Sequence, residues 1–311
     1  MSSTIKRPIQ HVMELMAEKV AEKVAERMSA SLGGMSALLG KLAEEVPNAN
    51  AASKVSQILL SLKYKELLHH QVALPSFRDV EFRAFSQNGE DGILLYLFSL
   101  LGTTNRRCVE ICAGDGIQCN TANLIVNHGW TGLLFDGNEQ RVAQGKEFYA
   151  NGKDTFFKPP TFVQAWITAE NVNSLVAANH FAGDIDLLSL DIDGMDYWVW
   201  KALDCIQPRV VLLESRVEWG PEKAVTIPYD PNFVIEFDGS PWYGGASLPA
   251  FVKLAREKGY RLVGSTRLGF NVFFIRCGLG EDVFPEVAAS EITGEKVNLD
   301  WVKPEWVWVD V

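Results

Sequence analysis

Cysteine is scarce and scattered. The five, Cys108, Cys112, Cys119, Cys205 and Cys277, form no C-x-x-C pair in a chain of 311 residues. An odd count without paired spacing argues against a disulfide framework and against structural zinc, and points to a reduced, cytoplasmic setting. Positive charge is also short: 29 Lys and Arg face 39 Asp and Glu, for a net charge of −10. Phosphate-bearing partners need a basic surface, so this balance argues against nucleic acid and against an anionic membrane. No apolar run reaches the length of a membrane span. Residues Met1 to Gln10 lack the apolar core of a secretory signal. What remains is ordinary for a globular chain, 47% hydrophobic and 22% charged, long enough for one large domain or two small ones.

The most informative stretch is residues 106 to 138. An apolar strand, Val109-Glu110-Ile111, runs into the small-residue turn Cys112-Ala113-Gly114-Asp115-Gly116. A helix follows, and a second apolar strand, Leu133-Leu134-Phe135, ends in Asp136-Gly137-Asn138. This pattern holds a nucleoside at the carboxyl edge of a parallel sheet, with the acid after the second strand placed to take two ribose hydroxyls. A dinucleotide site would show G-x-G-x-x-G and offer a helix N-terminus to a pyrophosphate. Here the turn carries Glu110 and Asp115 with only two glycines. Carboxylates repel a pyrophosphate and suit a ligand bearing an ammonium and a sulfonium, which points to S-adenosylmethionine. An ordinary strand-to-helix turn with no ligand is the plain alternative.

The rest of the chain reads as strands alternating with helices. Residues 9–46 look helical, with Val12, Met16, Val20, Val24 and Met28 recurring every four residues. A second helical stretch covers Ala51 to His69. Residues 1–75 are therefore expected to be a helical region that packs, covers the site as a lid, or joins a second copy into a homo-oligomer. Residues 76–311 form the main domain. Ser86 to Gly92 carries a helix-start signal before the apolar run Ile93 to Leu101. Beyond Asp136 come a helix over Gln140–Tyr149, short strands over Phe156–Phe162 and Gln164–Ile167, and a helix over Ala169–Ala178. A buried strand spans Ile185–Leu190, a helix opens at Trp198, and a strand over Val210–Leu213 ends in Glu214. A helix covers Leu248 to Gly259, and Tyr260–Gly264 with Val272–Arg276 form a terminal hairpin. The alternation predicts a mainly parallel α/β sheet, Rossmann-like, with helices on both faces. The tail, with Trp301, Trp306 and Trp308, is expected to dock rather than float.

Chemistry is expected at the carboxyl ends of the strands. Asp191, Asp193 and Asp196 follow the fourth strand and Glu214 ends the fifth, while no histidine lies in either segment. The base for methyl transfer is then a carboxylate or a metal-bound hydroxyl. Clustered oxygen ligands without Cys or His suit a hard cation such as Mg²⁺, with Asp193 and Glu214 as its ligands. The competing reading makes these acids caps of the helix that begins near Met195. The loop Asp238 to Ser247 precedes a helix; its Trp242 and Tyr243, with Trp219, are candidates for an apolar acceptor wall.

Taken together, the motifs resemble the FkbM-type methyltransferases over about residues 80–276. The shared pieces are Val109-Glu110-Ile111 with Gly114-Asp115-Gly116, Leu190-Asp191-Ile192-Asp193-Gly194-Met195-Asp196, Val211-Leu212-Leu213-Glu214, and Tyr243-Gly244-Gly245-Ala246-Ser247-Leu248 before Gly259-Tyr260. The Asp193-Gly194 step is also similar to the TylF-type sugar O-methyltransferases, where this aspartate helps hold magnesium; here Ser215, not an acid, follows Glu214. The resemblance implies a class I methyltransferase sheet. It implies cofactor contacts from Glu110, Ala113, Gly114, Asp115, Asp136, Asn138 and Asp191, with Trp166, Ile167 and Thr168 along the adenine and Gln87 and Glu90 toward the methionine end. The strand-end and loop readings place Asp191, Asp193 and Glu214 in catalysis and Asp196, Trp219, Trp242 and Tyr243 at the acceptor. The acceptor it implies is a hydroxyl on a sugar or secondary metabolite. A protein or peptide methyltransferase and a non-catalytic binding module remain open alternatives.

Overall fold

The computed structural model describes residues 53–236, 242–293, 302–303 and 305–311, together with Lys19 and Lys23. The helical expectation for residues 9–46 lies outside them, except at Lys19 and Lys23, which are helical. The chain divides into two compact units, Met1–Ser56 and Gln57–Val311. Helix α1 covers residues 53–69. From Gln57 on, its inner side bonds to the sheet domain: Gln57 exchanges hydrogen bonds with Asn123, and the Ser99 hydroxyl donates to that of Ser61. Short α2 (Phe77–Val80) follows.

The larger unit holds β1 (Arg107–Ile111), β2 (Thr131–Asp136), β3 (Thr161–Gln164), β4 (Gly183–Leu190), β5 (Ile206–Glu214), β6 (Val225–Thr226), β7 (Tyr260–Ser265), β8 (Asn271–Arg276) and β9 (Val309–Asp310). Seven of them form one sheet in the order β3-β2-β1-β4-β5-β8-β7, and β6 pairs with β9 apart from it. The first five are parallel, and β8 enters antiparallel between β5 and β7. That order defines an α/β Rossmann-like class I methyltransferase sheet with the expected terminal antiparallel hairpin.

Side chains alternate across the strands and build two cores. Val109, Phe135, Leu190 and Leu213 face α6 (Val172–Ala178), α7 (Asp196–Ala202) and α8 (Leu248–Glu257). Cys108, Leu134, Leu187 and Leu212 face α3 (Glu90–Leu101), α4 (Ala122–His128) and α5 (Glu139–Asn151). Helix α9 (Ala289–Thr293) lies beyond the hairpin in the chain. At the amino-terminal edge of the sheet, buried Asp186 accepts the main-chain N–H groups of Thr104, Asn105 and Arg106 and pairs with Arg209 at 3.2 Å. The carboxylate is thus fully satisfied, as a buried charge must be.

Two expectations need adjustment. The strand-like pieces from Phe156 to Ile167 shrink to β3, because residues 152–158 close into turns and Pro159-Pro160 offer no N–H to a ladder. The helix expected from Ala169 begins at Val172, because Ala169 gives its N–H to the Tyr229 hydroxyl and Thr168 gives its own to Asn171.

Close packing at Gly92 fixes the first turn of α3. A Cβ there would lie 2.0 Å from the Val80 carbonyl oxygen and 2.5 Å from the Phe82 nitrogen, both main-chain atoms that cannot step aside. We expect Gly92→Ala to destabilise the domain by about 3 kcal/mol. A urea midpoint that falls at constant m-value would show it, and an unchanged midpoint would refute it.

Candidate active site

The strand order reverses between β1 and β4, and a crevice opens at their carboxyl ends, where ligands of open α/β sheets bind. A cavity of about 430 Å³ occupies it, ample for a nucleoside-sized ligand. Four successive strand ends supply its floor: Ile111-Cys112, Phe135 to Asn138, Ala165 to Thr168, and Ile192-Asp193.

Backbone geometry shapes the turn after β1. Cys112, Gly114 and Gly116 all take left-handed conformations, with φ of 66°, 60° and 69°. Glycine does this freely, whereas Cys112 is strained, a cost that tends to persist at functional sites. Asp136 holds the turn in place. One of its oxygens accepts the Gly114 N–H at 2.9 Å and the other the Asn138 N–H at 2.8 Å. The Cys112 sulfur lies 3.8 Å from the first of these, and burial with the nearby Asp136 charge pushes its thiol far up.

Of the residues expected at the cofactor, Asp136, Asn138, Trp166, Ile167 and Thr168 line the cavity. The structure uses the others one layer out. Glu110, expected against the ligand, is buried and accepts the Asn120 and Thr121 N–H groups, with Ser189 donating to it as well. Asp115 caps its own turn through the Ile117 and Gln118 N–H groups. Glu90 is fully buried and takes bonds from Asn88 and Asn271, which anchors the start of α3 rather than reaching into the cavity. Gln87 is exposed, and neither it nor Ala113, Gly114 or Asp191 is among the lining residues.

Beside the cavity, carboxylate oxygens of Asp191, Asp193 and Glu214 lie within 4.8 Å of one another. Asp191 and Glu214 share a hydrogen bond. Burial, then the charges of Glu214 and Asp193, push Asp191 well above the carboxylate range. Burial raises Glu214 to about 7, opposed by the Asp191 bond and by Arg216. Such a pair shares one proton near neutrality. Asp193 is left-handed at φ 56° on the loop; desolvation by its neighbours raises its carboxyl against the pull of Arg216.

Asp196, expected at the acceptor, instead holds this loop. Its carboxylate accepts the Ile192 N–H at 2.8 Å and the Gly194 N–H at 3.0 Å, bracketing Asp193. Burial still raises it to about 7. Thus one acid of the run does serve as a local cap, while Asp191 and Asp193 are left to meet Glu214.

An aromatic wall stands over the loop. A Cβ on Gly194 would lie 2.4 Å from the Phe233 ring, so only glycine lets that ring settle there. Phe233 packs on Tyr243 at 6.0 Å, and Tyr243 meets Trp306 and Trp308 at 5.5 and 5.6 Å. The Tyr243 hydroxyl donates to the Val307 carbonyl, and β9 pairs with β6, so the described end of the tail, residues 305–311, is docked, while Trp301 lies outside the described residues. Trp242 is exposed, whereas Trp219 is buried against Trp308 and offers the wall no open face. Asp238 to Pro241 of this loop lie outside the described residues.

Sequence reasoning missed the stretch Tyr229, Pro231, Phe233, Val234 and Ile235, which lines the cavity and packs on the Asp193-Gly194 loop through Phe233. An apolar run between β6 and the glycine-rich loop, with no strand to join, was the available signal. It also missed Arg216, whose guanidinium bonds to Glu218 at 2.6 Å and to the Trp242 carbonyl at 2.8 Å while facing the acids.

No protein-family model matches the chain, and no curated protein sequence matches it. Among solved structures it is similar to magnesium protoporphyrin IX methyltransferase from Synechocystis PCC 6803 with bound SAM, at 12% identity over 60% of this chain and 77% of that one, TM-score 0.38. It is also similar to a glycopeptide N-methyltransferase complexed with S-adenosylhomocysteine, at 13% identity over 55% and 82%, TM-score 0.36. A third is the N-terminal domain of EvdMO1 in the presence of SAH and D-fucose, at 11% identity over 60% and 81%, TM-score 0.39. The fold assignment rests on this chain's own strand order, and likenesses this distant add nothing to it or to the chemistry.

Proposed function

We propose that this protein is an S-adenosylmethionine-dependent methyltransferase that acts on a hydroxyl of a small molecule, a sugar or secondary metabolite. The observation that carries the reading is the adjacency of a nucleoside-sized cavity at the strand-order switch and a proton-sharing acid cluster at its rim. Trp166, Ile167 and Thr168 would hold the cofactor's adenosine and Asp136 its ribose. Asp193, also in the lining, would give a sulfonium a charge match that a pyrophosphate would lack. An acceptor oxygen attacks the methyl carbon in line, the carbon–sulfur bond breaks to leave S-adenosylhomocysteine, and the hydroxyl proton passes to the Asp191–Glu214 pair. A carboxylate poised near 7 is matched to that task.

The donor set fits a hard divalent cation, since three carboxylates and no softer ligand converge. Held by Asp191, Asp193 and Glu214, such an ion would lower the hydroxyl's pKa when bound. The proton-sharing pair provides for the same step without it, and Ser215, buried beside Glu214, adds no further acid.

Calorimetry with S-adenosylmethionine, S-adenosylhomocysteine and NAD, each with and without Mg²⁺, tests the reading. Micromolar binding of the first two and none of NAD is expected. Failure of both sulfur ligands to bind sinks it and leaves a non-catalytic module.

A further inference from the structure

The turn between α5 and β3 carries the most exposed aromatic pair among the described residues. Phe156 is 55% exposed and Phe157 91%, and their rings touch at a centroid distance of 4.9 Å. Two bare phenylalanines would ordinarily fold back onto the core, but the turn prevents it. Thr155 is buried, and its hydroxyl donates to the Tyr149 carbonyl at 2.6 Å. The N–H groups of Thr155 and Phe156 both go to the Gly152 carbonyl, and that of Lys158 to Thr155. The bonded turn therefore holds both rings outward.

The local charge differs from that of the whole chain. The turn itself, residues 152–160, carries two cations (Lys153, Lys158) and one acid (Asp154), two minus one, or +1, in a chain of −10. Lys153 and Lys158 flank the rings directly. The turn leads into the start of β3, so it lies at the amino-terminal edge of the sheet, opposite the cavity. Pro160 packs near Gly132 at the start of β2, and Arg106 begins the neighbouring strand connection, its carbonyl accepting the Thr131 N–H. A charge that repels at long range is screened within about 8 Å at physiological salt, so this edge acts through its own residues.

We propose that this edge docks on an anionic lipid surface, with Phe156 and Phe157 entering the headgroup–acyl boundary and Lys153 and Lys158 meeting the lipid phosphates. Paired aromatics between cations have the chemistry of a peripheral interfacial contact, in which apolar burial and attraction to anionic headgroups add. The cavity mouth then faces away from the bilayer, so the site remains open to a water-borne acceptor. The proposal is independent of the methyltransferase reading.

The test is co-sedimentation of the full chain with vesicles of phosphatidylcholine alone and of phosphatidylcholine with 30% phosphatidylglycerol, a fraction of about a third chosen to give a strongly anionic surface. The expected result is partition into the anionic vesicles about tenfold stronger than into the neutral ones. Phe156→Ser with Phe157→Ser should lower it at least about tenfold, and Lys153→Glu with Lys158→Glu by a similar factor. Unchanged melting and far-ultraviolet spectra identify both variants as folded. Absence of vesicle binding by the parent chain overturns the proposal, as does equal binding by the Phe variant. Loss of self-association in that variant, without vesicle binding by the parent, would assign the patch to a second copy instead.

Discussion

A Glu214→Gln protein is expected to bind S-adenosylmethionine normally and to turn over its acceptor at least about a hundredfold more slowly, the scale of a lost general base. It should also be more stable than the parent at neutral pH. Both effects come from one cause. Glu214 sits at the end of β5, half-buried and bonded to Asp191, and desolvation raises its carboxyl from an ordinary 4.5 to about 7. The unfolded chain therefore loses this proton near 4.5 and the folded chain keeps it until about 7. Within that window the folded state binds more protons, so stability falls as pH rises. Glutamine keeps the shape and has no charge to bury. The gain is absent below the lower value and complete above the upper one, on the order of 1–3 kcal/mol. For a domain of this size that corresponds to roughly 3–8 °C in melting temperature. Melting curves at acid and neutral pH read this without any acceptor. Equal melting shifts at both would sink the account, and undiminished turnover would remove Glu214 from the chemistry.

The second large effect is expected at Asp136. Replacement by alanine should weaken S-adenosylmethionine at least about a hundredfold, measured by calorimetry, because two contributions vanish together. The ribose loses its acid. The Gly114 and Asn138 N–H groups lose their acceptor, and the strained turn at Cys112 is released. Asp136→Asn keeps a carbonyl oxygen for one of the two N–H groups and should lose less. A retained far-ultraviolet spectrum separates this from unfolding. Unchanged affinity in the alanine variant would place the ribose elsewhere.

Much of this was legible in the sequence, for reasons visible in particular residues. The strand residues of β1, β2, β4 and β5 are apolar and buried on both faces, as parallel strands between helix layers are, so Val109, Leu134, Leu188 and Val211 announced the sheet. Asp136, Asp191 and Glu214 stood out because each follows an apolar run, with Asp193 two residues beyond the second, and runs of one sheet finish at one edge. Spacing alone could not say which acids border the cavity. Glu110, Asp115 and Asp196 look the same in sequence as Asp136, and all four accept main-chain N–H groups, but only Asp136 also lines the cavity. The wall made by Phe233 was hidden for a different reason: it depends on a contact with Gly194 across two connections, which no local pattern encodes.

The placement of β8 has a consequence for how the chain reaches this state. Strand β5 is apolar over Val210–Leu213 and finds its first neighbour, β4, just upstream, but its other edge waits for Asn271–Arg276. During synthesis, or after a cut between the two, that edge is an open ladder of unpaired N–H and C=O groups on an aggregation-prone strand. The same late strand delivers Asn271 to Glu90 at the start of α3. Closure of the sheet and locking of its first helix are therefore a single late event. A chain interrupted before β8 should collect as strand-paired aggregate rather than as a smaller folded domain.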